Sequence, residues 1–289
     1  MNHLKLLLIF LLHCLYCTAQ DTLHIKNVEA ILYTGDGFNQ PLIVGLGGSE
    51  GGNAWASNHW KKTRDGFTSK GYAFLAIGYF GCKGTSASLD RIAIDDIHQA
   101  IVTATKNKKI NAGRVTVIGG SRGADLALLL GAYYPDINCV IALSASHAVF
   151  PGNTQTLDHS SWTFAGKELP FVPVNEAAVP FLLKRDLKGA FETMLTDTAA
   201  EKQALIPVEK IQGPVLLMAA RSDEIIPAVS MSQKMATRLQ GNHFKFHYEV
   251  KIYDGLHSEP MNHMEDVFNF LEKYFLPAAQ PPLQSHVHQ

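Results

Sequence analysis

Three side chains in this sequence have the types and chain order needed to break an acyl bond. Ser121 sits in Gly119-Gly-Ser-Arg-Gly123. Asp223 sits in Arg221-Ser-Asp-Glu-Ile-Ile-Pro227, and His257 in Tyr253-Asp-Gly-Leu-His-Ser-Glu-Pro260. A serine hydroxyl is a weak nucleophile at neutral pH. It needs a base to take its proton and a carboxylate to orient that base. The order Ser, acid, His is the one required when the serine follows a strand and opens a helix. Glu224 is the local alternative to Asp223. Attack on a carbonyl also builds charge on its oxygen, which fixed N–H donors must meet. The backbone N–H of Arg122, next to the nucleophile, is one expected donor. Gly47-Gly-Ser-Glu-Gly-Gly52 follows an early strand and supplies the other, with Gly48 and Ser49 as candidates. That loop lacks the Lys-Ser/Thr ending of a phosphate-binding loop.

The surrounding pattern is built to place such groups. Short apolar runs are expected as strands at Leu42–Leu46, Ala73–Gly78, Val115–Ile118, Cys139–Leu143, Val215–Ala219 and Lys245–Ile252. Helices are expected at Trp55–Ser69, Asp90–Lys106, Gly123–Tyr134, Ala228–Leu239 and Met264–Tyr274. Continuous β-branched runs suit parallel strands covered on both faces. Their alternation with amphipathic stretches predicts a doubly wound, mostly parallel α/β sheet. Ser121 then falls at a strand-to-helix elbow, with the glycines leaving room for a tight turn. This is the α/β-hydrolase arrangement. The rhythm breaks over residues 151–207, where prolines and aromatic residues cluster around a helical stretch at Phe191–Ala204. Loops at the carboxyl ends of such strands build the site, so this insertion is expected to form a lid.

Composition narrows the function. The chain has 289 residues, 46% of them hydrophobic, enough for one large core. Its formal charge of −1 gives no basic excess for nucleic acid. The first twenty residues hold a lysine, the apolar run Leu6–Leu12, and a small and polar stretch ahead of Asp21. This is the tripartite form of a secretory signal, too short to span a bilayer. Cleavage is expected after Gln20, giving a secreted or periplasmic protein with no membrane span. A catalytic domain is expected over 21–276 and a loose tail over 277–289. Cys82 and Cys139 then remain, and two thiols make no disulfide framework. Neither a metal nor an organic cofactor is expected, because no Cys/His group has metal-ligand spacing and the triad needs none. Of the other histidines, His147 and His159 lie nearest the site but are expected to have a bland role; His59, His98, His243, His247 and His263 are expected to pack or be solvated. Oligomeric state is not legible.

Longer stretches resemble the catalytic domain shared by acyl-CoA thioesterases and bile acid-CoA:amino acid N-acyltransferases. They are Gly45–Gly52, Gly119–Asp125, Ser144–Gly152, Ser161–Pro173, Val208–Val215 and the Asp223 segment. The likeness runs over about residues 40–275. It implies an α/β-hydrolase fold, a small acyl ester or thioester substrate, and an acyl-enzyme on Ser121. The departures are informative. Arg122 stands where the family usually has lysine. Gly-Leu-His257 replaces the family's Ala-Gly-His. Only Asp21–Gln40 precedes the oxyanion loop, too little for the β-sandwich of the eukaryotic members. Members that transfer to amino acids generally use cysteine at the Ser121 position, so hydrolysis is the expected outcome. The alternatives are amino-acid N-acyltransfer, a dienelactone-type hydrolase or peptidase, and a binding protein on an inactive scaffold.

Overall fold

The computed structural model describes residues 19–276. Residues 1–18 of the expected signal segment 1–20 and the expected tail 277–289 lie outside them. Eleven strands run in chain order: β1 (Ala19–Ile25), β2 (Val28–Thr34), β3 (Gln40–Leu46), β4 (Ala73–Gly78), β5 (Ile92–Ala93), β6 (Ile110–Gly120), β7 (Cys139–Leu143), β8 (Trp162–Phe164), β9 (Lys167–Glu168), β10 (Val215–Ala220) and β11 (Tyr248–Tyr253). The α-helices are α1 (Lys61–Ser69), α2 (Ile94–Ala104), α3 (Arg122–Tyr133), α4 (Val179–Leu183), α5 (Leu187–Met194), α6 (Thr198–Ala204), α7 (Ala228–Gly241) and α8 (Met264–Phe270).

Eight strands form one sheet in the order β1-β2-β4-β3-β6-β7-β10-β11. From β4 to β11 every pairing is parallel, while β2 runs antiparallel to both β1 and β4. The expected mostly parallel α/β sheet is therefore the observed one. Strand β4 is buried along its whole length. Ala73, Leu75 and Ile77 pack into a core with α2 and α3. Phe74 and Ala76 pack into the opposite core with Phe67 of α1 and Val267 and Phe270 of α8. A strand covered on both faces has no polar side to show, which is why its sequence reads as an unbroken apolar run.

Several boundaries differ from the sequence reading, each for a local reason. The expected helix over Trp55–Ser69 is a short turn at Ala54–Ala56 followed by α1, interrupted where Ser57 is extended. The expected helix from Asp90 starts at Ile94, because Ile92 and Ala93 pair with Trp162 and Thr163. The stretch Phe191–Ala204 is split into α5 and α6, where the Asp197 side chain accepts from Ala200 N–H and caps a new helix. The last helix ends in a wider turn over Leu271–Phe275. Cys82 and Cys139 are both free thiols.

The insertion after β7 divides its work. Strands β8 and β9 join β5 in a small sheet, and Trp162 is fully buried in the core on the α2–α3 side. The α4–α6 part instead packs over Phe150, Ala219 and Met231 as a third apolar cluster. Among the described residues of the insertion, α4, α5 and the loops either side of β8–β9 line the space beside Ser121.

Candidate active site

Strand β6 ends at Gly120, and α3 begins at Arg122. Ser121 between them has φ 54° and ψ −123°, a conformation a non-glycine residue adopts only when its surroundings hold it there. Its N–H donates to Leu143 O of β7 at 2.8 Å, and its carbonyl accepts from Ala124 N–H. Those bonds fix the elbow at the sheet end. A Cβ on Gly123 would run into the carbonyl oxygens of Gly47 and Leu46. The elbow and the Gly47–Gly52 loop are therefore in backbone contact. Gly123→Ala is expected to lower the unfolding free energy by about 1–3 kcal/mol, as overpacking does, read as a lower urea midpoint with unchanged slope.

The acid and the histidine come from neighbouring strands. Asp223 follows β10 and His257 follows β11, and the two loops are tied by Arg221 N–H to Tyr253 O and Ser222 N–H to Gly255 O. His257 Nδ1 lies 2.7 Å from Asp223 Oδ2. The other oxygen, Oδ1, accepts from Ile225 N–H and Ile226 N–H, both at 2.9 Å. Asp223 is thus buried with its carboxylate fully engaged. Glu224, the sequence alternative, does something else: its Oε2 accepts the His257 backbone N–H at 2.9 Å. His257 Nε2 is buried and has no hydrogen-bond partner among the described residues.

Two supports were not expected from sequence. Ser144, at the end of β7 with φ 55°, donates from Oγ to the His257 carbonyl at 2.8 Å. Tyr79, after β4, donates its O–H to Gly47 O at 2.5 Å and so pins the glycine loop. Burial pushes the Tyr79 phenol far up, which keeps it a donor. Both residues are unremarkable in sequence, since a serine after a strand and a buried tyrosine are common.

Gly48 lies against Ser121: a Cβ placed there would be 3.2 Å from Ser121 Cβ. Its N–H donates to the Glu50 carboxylate at 3.0 Å. Arg122 supplies the first N–H of α3. Its guanidinium folds inward, with Nη2 donating to Pro151 O at 2.7 Å and Nη1 3.6 Å from Asp125 Oδ2. Burial raises the Asp125 carboxyl to about 7, with Arg122 pulling the other way. Desolvation lowers the Arg122 guanidinium.

Two cavities meet at Ser121 and Ser49. One, of about 450 Å³, is lined by Gly48, Trp55, His59, Trp60 and His257. The other, of about 230 Å³, is lined by Arg122, Asp125 and Ser146 and roofed by Leu182, Phe191 and Met194 of the insertion. His147 and His159 do not line either one. His147 binds Glu201 Oε1 at 2.6 Å through Nε2, tying the loop after β7 to α6, and Lys234 of α7 meets the same oxygen. His159 pairs with Glu168 at 3.1 Å. His59, expected to be bland, is the second histidine at the cleft, edge-on to Trp60. Among the described residues no group of three His, Cys, Asp or Glu side chains could hold a metal, and no helix is long and apolar enough to cross a membrane.

The sheet order and the strand–serine–helix elbow define an α/β-hydrolase fold, and solved structures agree. An esterase of Pyrococcus furiosus superposes with a TM-score of 0.60 at 16% identity, over 90% of this chain and 94% of that one. An acylaminoacyl peptidase of Pyrococcus horikoshii gives 0.64 at 13%, over 92% of this chain and 43% of that one. The sequence profile described as BAAT / acyl-CoA thioester hydrolase C terminal matches residues 96–256, more than half of the chain. The chain belongs to that family. The match contains Ser121 and Asp223 and stops one residue before His257; the Gly45–Gly52 loop lies outside it. Mouse peroxisomal succinyl-coenzyme A thioesterase is 24% identical over 193 residues, 64% of this chain and 42% of that protein. Mouse acyl-coenzyme A thioesterase 6 is 27% identical over 199 residues, 68% and 43%. Mouse acyl-coenzyme A amino acid N-acyltransferase 1 is 23% identical over 172 residues, 60% and 38%. The chain spans about two fifths of the length of these curated relatives.

Proposed function

We propose that this protein is a serine hydrolase that cleaves an acyl thioester or carboxylic ester, with Ser121 as nucleophile, His257 as base and Asp223 as its orienting acid. The observation that carries the reading is the His257 ring. One nitrogen is held 2.7 Å from Asp223, while the other is unpaired beside the cavity that contains Ser121. An imidazole fixed this way presents an acceptor to the serine hydroxyl. His257 takes the Ser121 proton as Oγ bonds to the acyl carbon. The N–H groups of Arg122 and of the Gly48–Ser49 loop hold the oxyanion. The bond to the leaving group breaks, and His257 returns the proton to the departing sulfur or oxygen. Water, deprotonated by His257, then releases the acid and restores Ser121. The chemistry needs no metal or organic cofactor.

Family membership supports a thioester, and a serine nucleophile supports hydrolysis over transfer to an amino acid. The α4–α6 part of 151–207 serves as the substrate lid. The tripartite N-terminus supports export, with cleavage after Gln20; the mature chain would keep the pairing of Asp21–Ile25 with β2.

A fluorophosphonate probe followed by peptide mass analysis tests the nucleophile: the adduct is expected on Ser121, and its absence there overturns the assignment. Turnover of p-nitrophenyl esters against acyl-CoA, with and without glycine or taurine, assigns the leaving group. Product formed only with the amine would replace hydrolysis by transfer.

A further inference from the structure

A helix that is apolar on every side is normally buried. Helix α4 is not. Its sequence is Val-Pro-Phe-Leu-Leu, and none of its five residues is buried. Val179 is 42% exposed, Phe181 36% and Leu183 81%. A contiguous apolar patch of this kind marks a surface that meets a partner. The helix is also held in place. A Cβ on Gly189 of α5 would lie 2.5 Å from the Phe181 ring, and Asp186 N–H donates to Phe181 O. Leu182, less exposed than its neighbours, lines the cavity beside Ser121 together with Leu187.

The residues that follow α4 say what covers it. Lys184 and Arg185 are exposed, and neither forms an ion pair among the described residues. Asp186, the adjacent acid, accepts from Gly189 N–H and caps α5. Free cations at the end of an apolar helix suit an anionic lipid surface, with the apolar side chains among the acyl chains and the cations at the headgroups. Five residues rise only about 7.5 Å, so the helix lies in the interface and does not span it. A second copy of this chain fits less well. A two-fold contact through α4 sets the same patch against itself, and with it two Lys184–Arg185 pairs.

We propose that α4 docks this protein on anionic lipid surfaces, with Val179, Phe181 and Leu183 inserted and Lys184 and Arg185 on the headgroups. The docking does not depend on the Ser121–His257 reading. That reading adds that the cavity lined by Leu182 then opens beside the lipid phase, from which an apolar acyl ester enters.

The test places a reporter in the patch. In the full chain, Leu183→Trp is read after subtracting the signal of the three native tryptophans. On phosphatidylcholine vesicles with about one third phosphatidylglycerol, an anionic surface, its emission should shift to the blue and be quenched by brominated acyl chains. Phe38→Trp, at a position 76% exposed but ahead of β3 at the opposite end of the sheet, should show neither change. Attachment through the apolar run Leu6–Leu12 alone would leave position 183 unquenched. Lys184→Gln with Arg185→Asn should weaken binding about thirtyfold, the scale of two cations at a charged membrane. Asparagine suits the left-handed backbone at Arg185. Leu183→Ser should weaken binding at least about tenfold, the scale of one apolar side chain. These side chains are exposed, so the fold should be kept. No shift at position 183 on anionic vesicles, or equal affinity for pure phosphatidylcholine, overturns the proposal. So does a dimer in solution that Leu183→Ser dissociates while lipid leaves position 183 unquenched. None of these readings needs turnover. Repeating them in Ser121→Ala should change nothing, so failure of the docking and failure of the hydrolase reading are told apart.

Discussion

Ser121→Ala should abolish turnover almost completely, with kcat falling about 10⁶-fold, the scale reported for loss of a triad serine elsewhere. In the proposed mechanism the side chain is the nucleophile, so no neighbour can replace it. Serine to alanine removes one oxygen and leaves the elbow intact. The backbone bonds that impose φ 54° run from Ser121 N–H to Leu143 O and from Ala124 N–H to Ser121 O, and both survive. Thermal unfolding should therefore stay within a few degrees of the native protein. Residual activity above about one per cent, at an unchanged melting temperature, would remove Ser121 from the mechanism.

Asp223→Asn should be nearly as severe, about 10⁴-fold in kcat, the cost of presenting the wrong histidine tautomer. The carboxylate accepts a hydrogen bond from His257 Nδ1–H at one oxygen and from two backbone N–H groups at the other. An asparagine that keeps the Ile225 and Ile226 bonds with its oxygen must turn its NH₂ toward the ring. The ring then becomes the acceptor at Nδ1 and carries its proton on Nε2, where it cannot take the serine proton. Glu224→Gln is the matched control. It keeps an oxygen for the His257 N–H, so its effect should stay within tenfold. Steady-state kinetics on the two variants separates the roles, and a larger loss for Glu224→Gln would exchange them.

Much of this was legible in the sequence because it depends on order along the chain. Parallel strands that emerge at one sheet end bring residues from the loops after β6, β10 and β11 together, whatever lies between. The sequence prefers Asp223 over Glu224; in the structure Asp223 bonds the His257 ring and Glu224 bonds the His257 backbone N–H. What sequence missed lies in contacts without a local signature. Strand β2 does alternate, with Val28, Ala30, Leu32 and Thr34 buried, but β1 beside it is an exposed edge strand with Asp21, Thr22 and His24, and nothing marked it as sheet. The β5–β8 pairing joins residues 70 positions apart, Ile92 to Trp162, and no periodicity encodes that. His147 falls near the site in the sequence reading, with a bland role expected, and no local signal names its partner. Its ring bonds Glu201, which Lys234 also meets, a partnership across two helices that only packing creates.

The bond from Gly48 N–H to the Glu50 carboxylate bears on how the enzyme meets its own product. Hydrolysis yields a carboxylate, and the loop proposed to cradle the oxyanion already cradles one, supplied by the same chain two residues away. A tethered group competes at an effective concentration that a short link sets in the millimolar range or above. Released acid must outcompete that neighbour to linger at Gly48, which shortens its stay. An incoming substrate that uses the same N–H would face the same rival. If Gly48 N–H holds the oxyanion as proposed, Glu50 imposes one common displacement cost on every ligand that takes that donor, product and oxyanion alike.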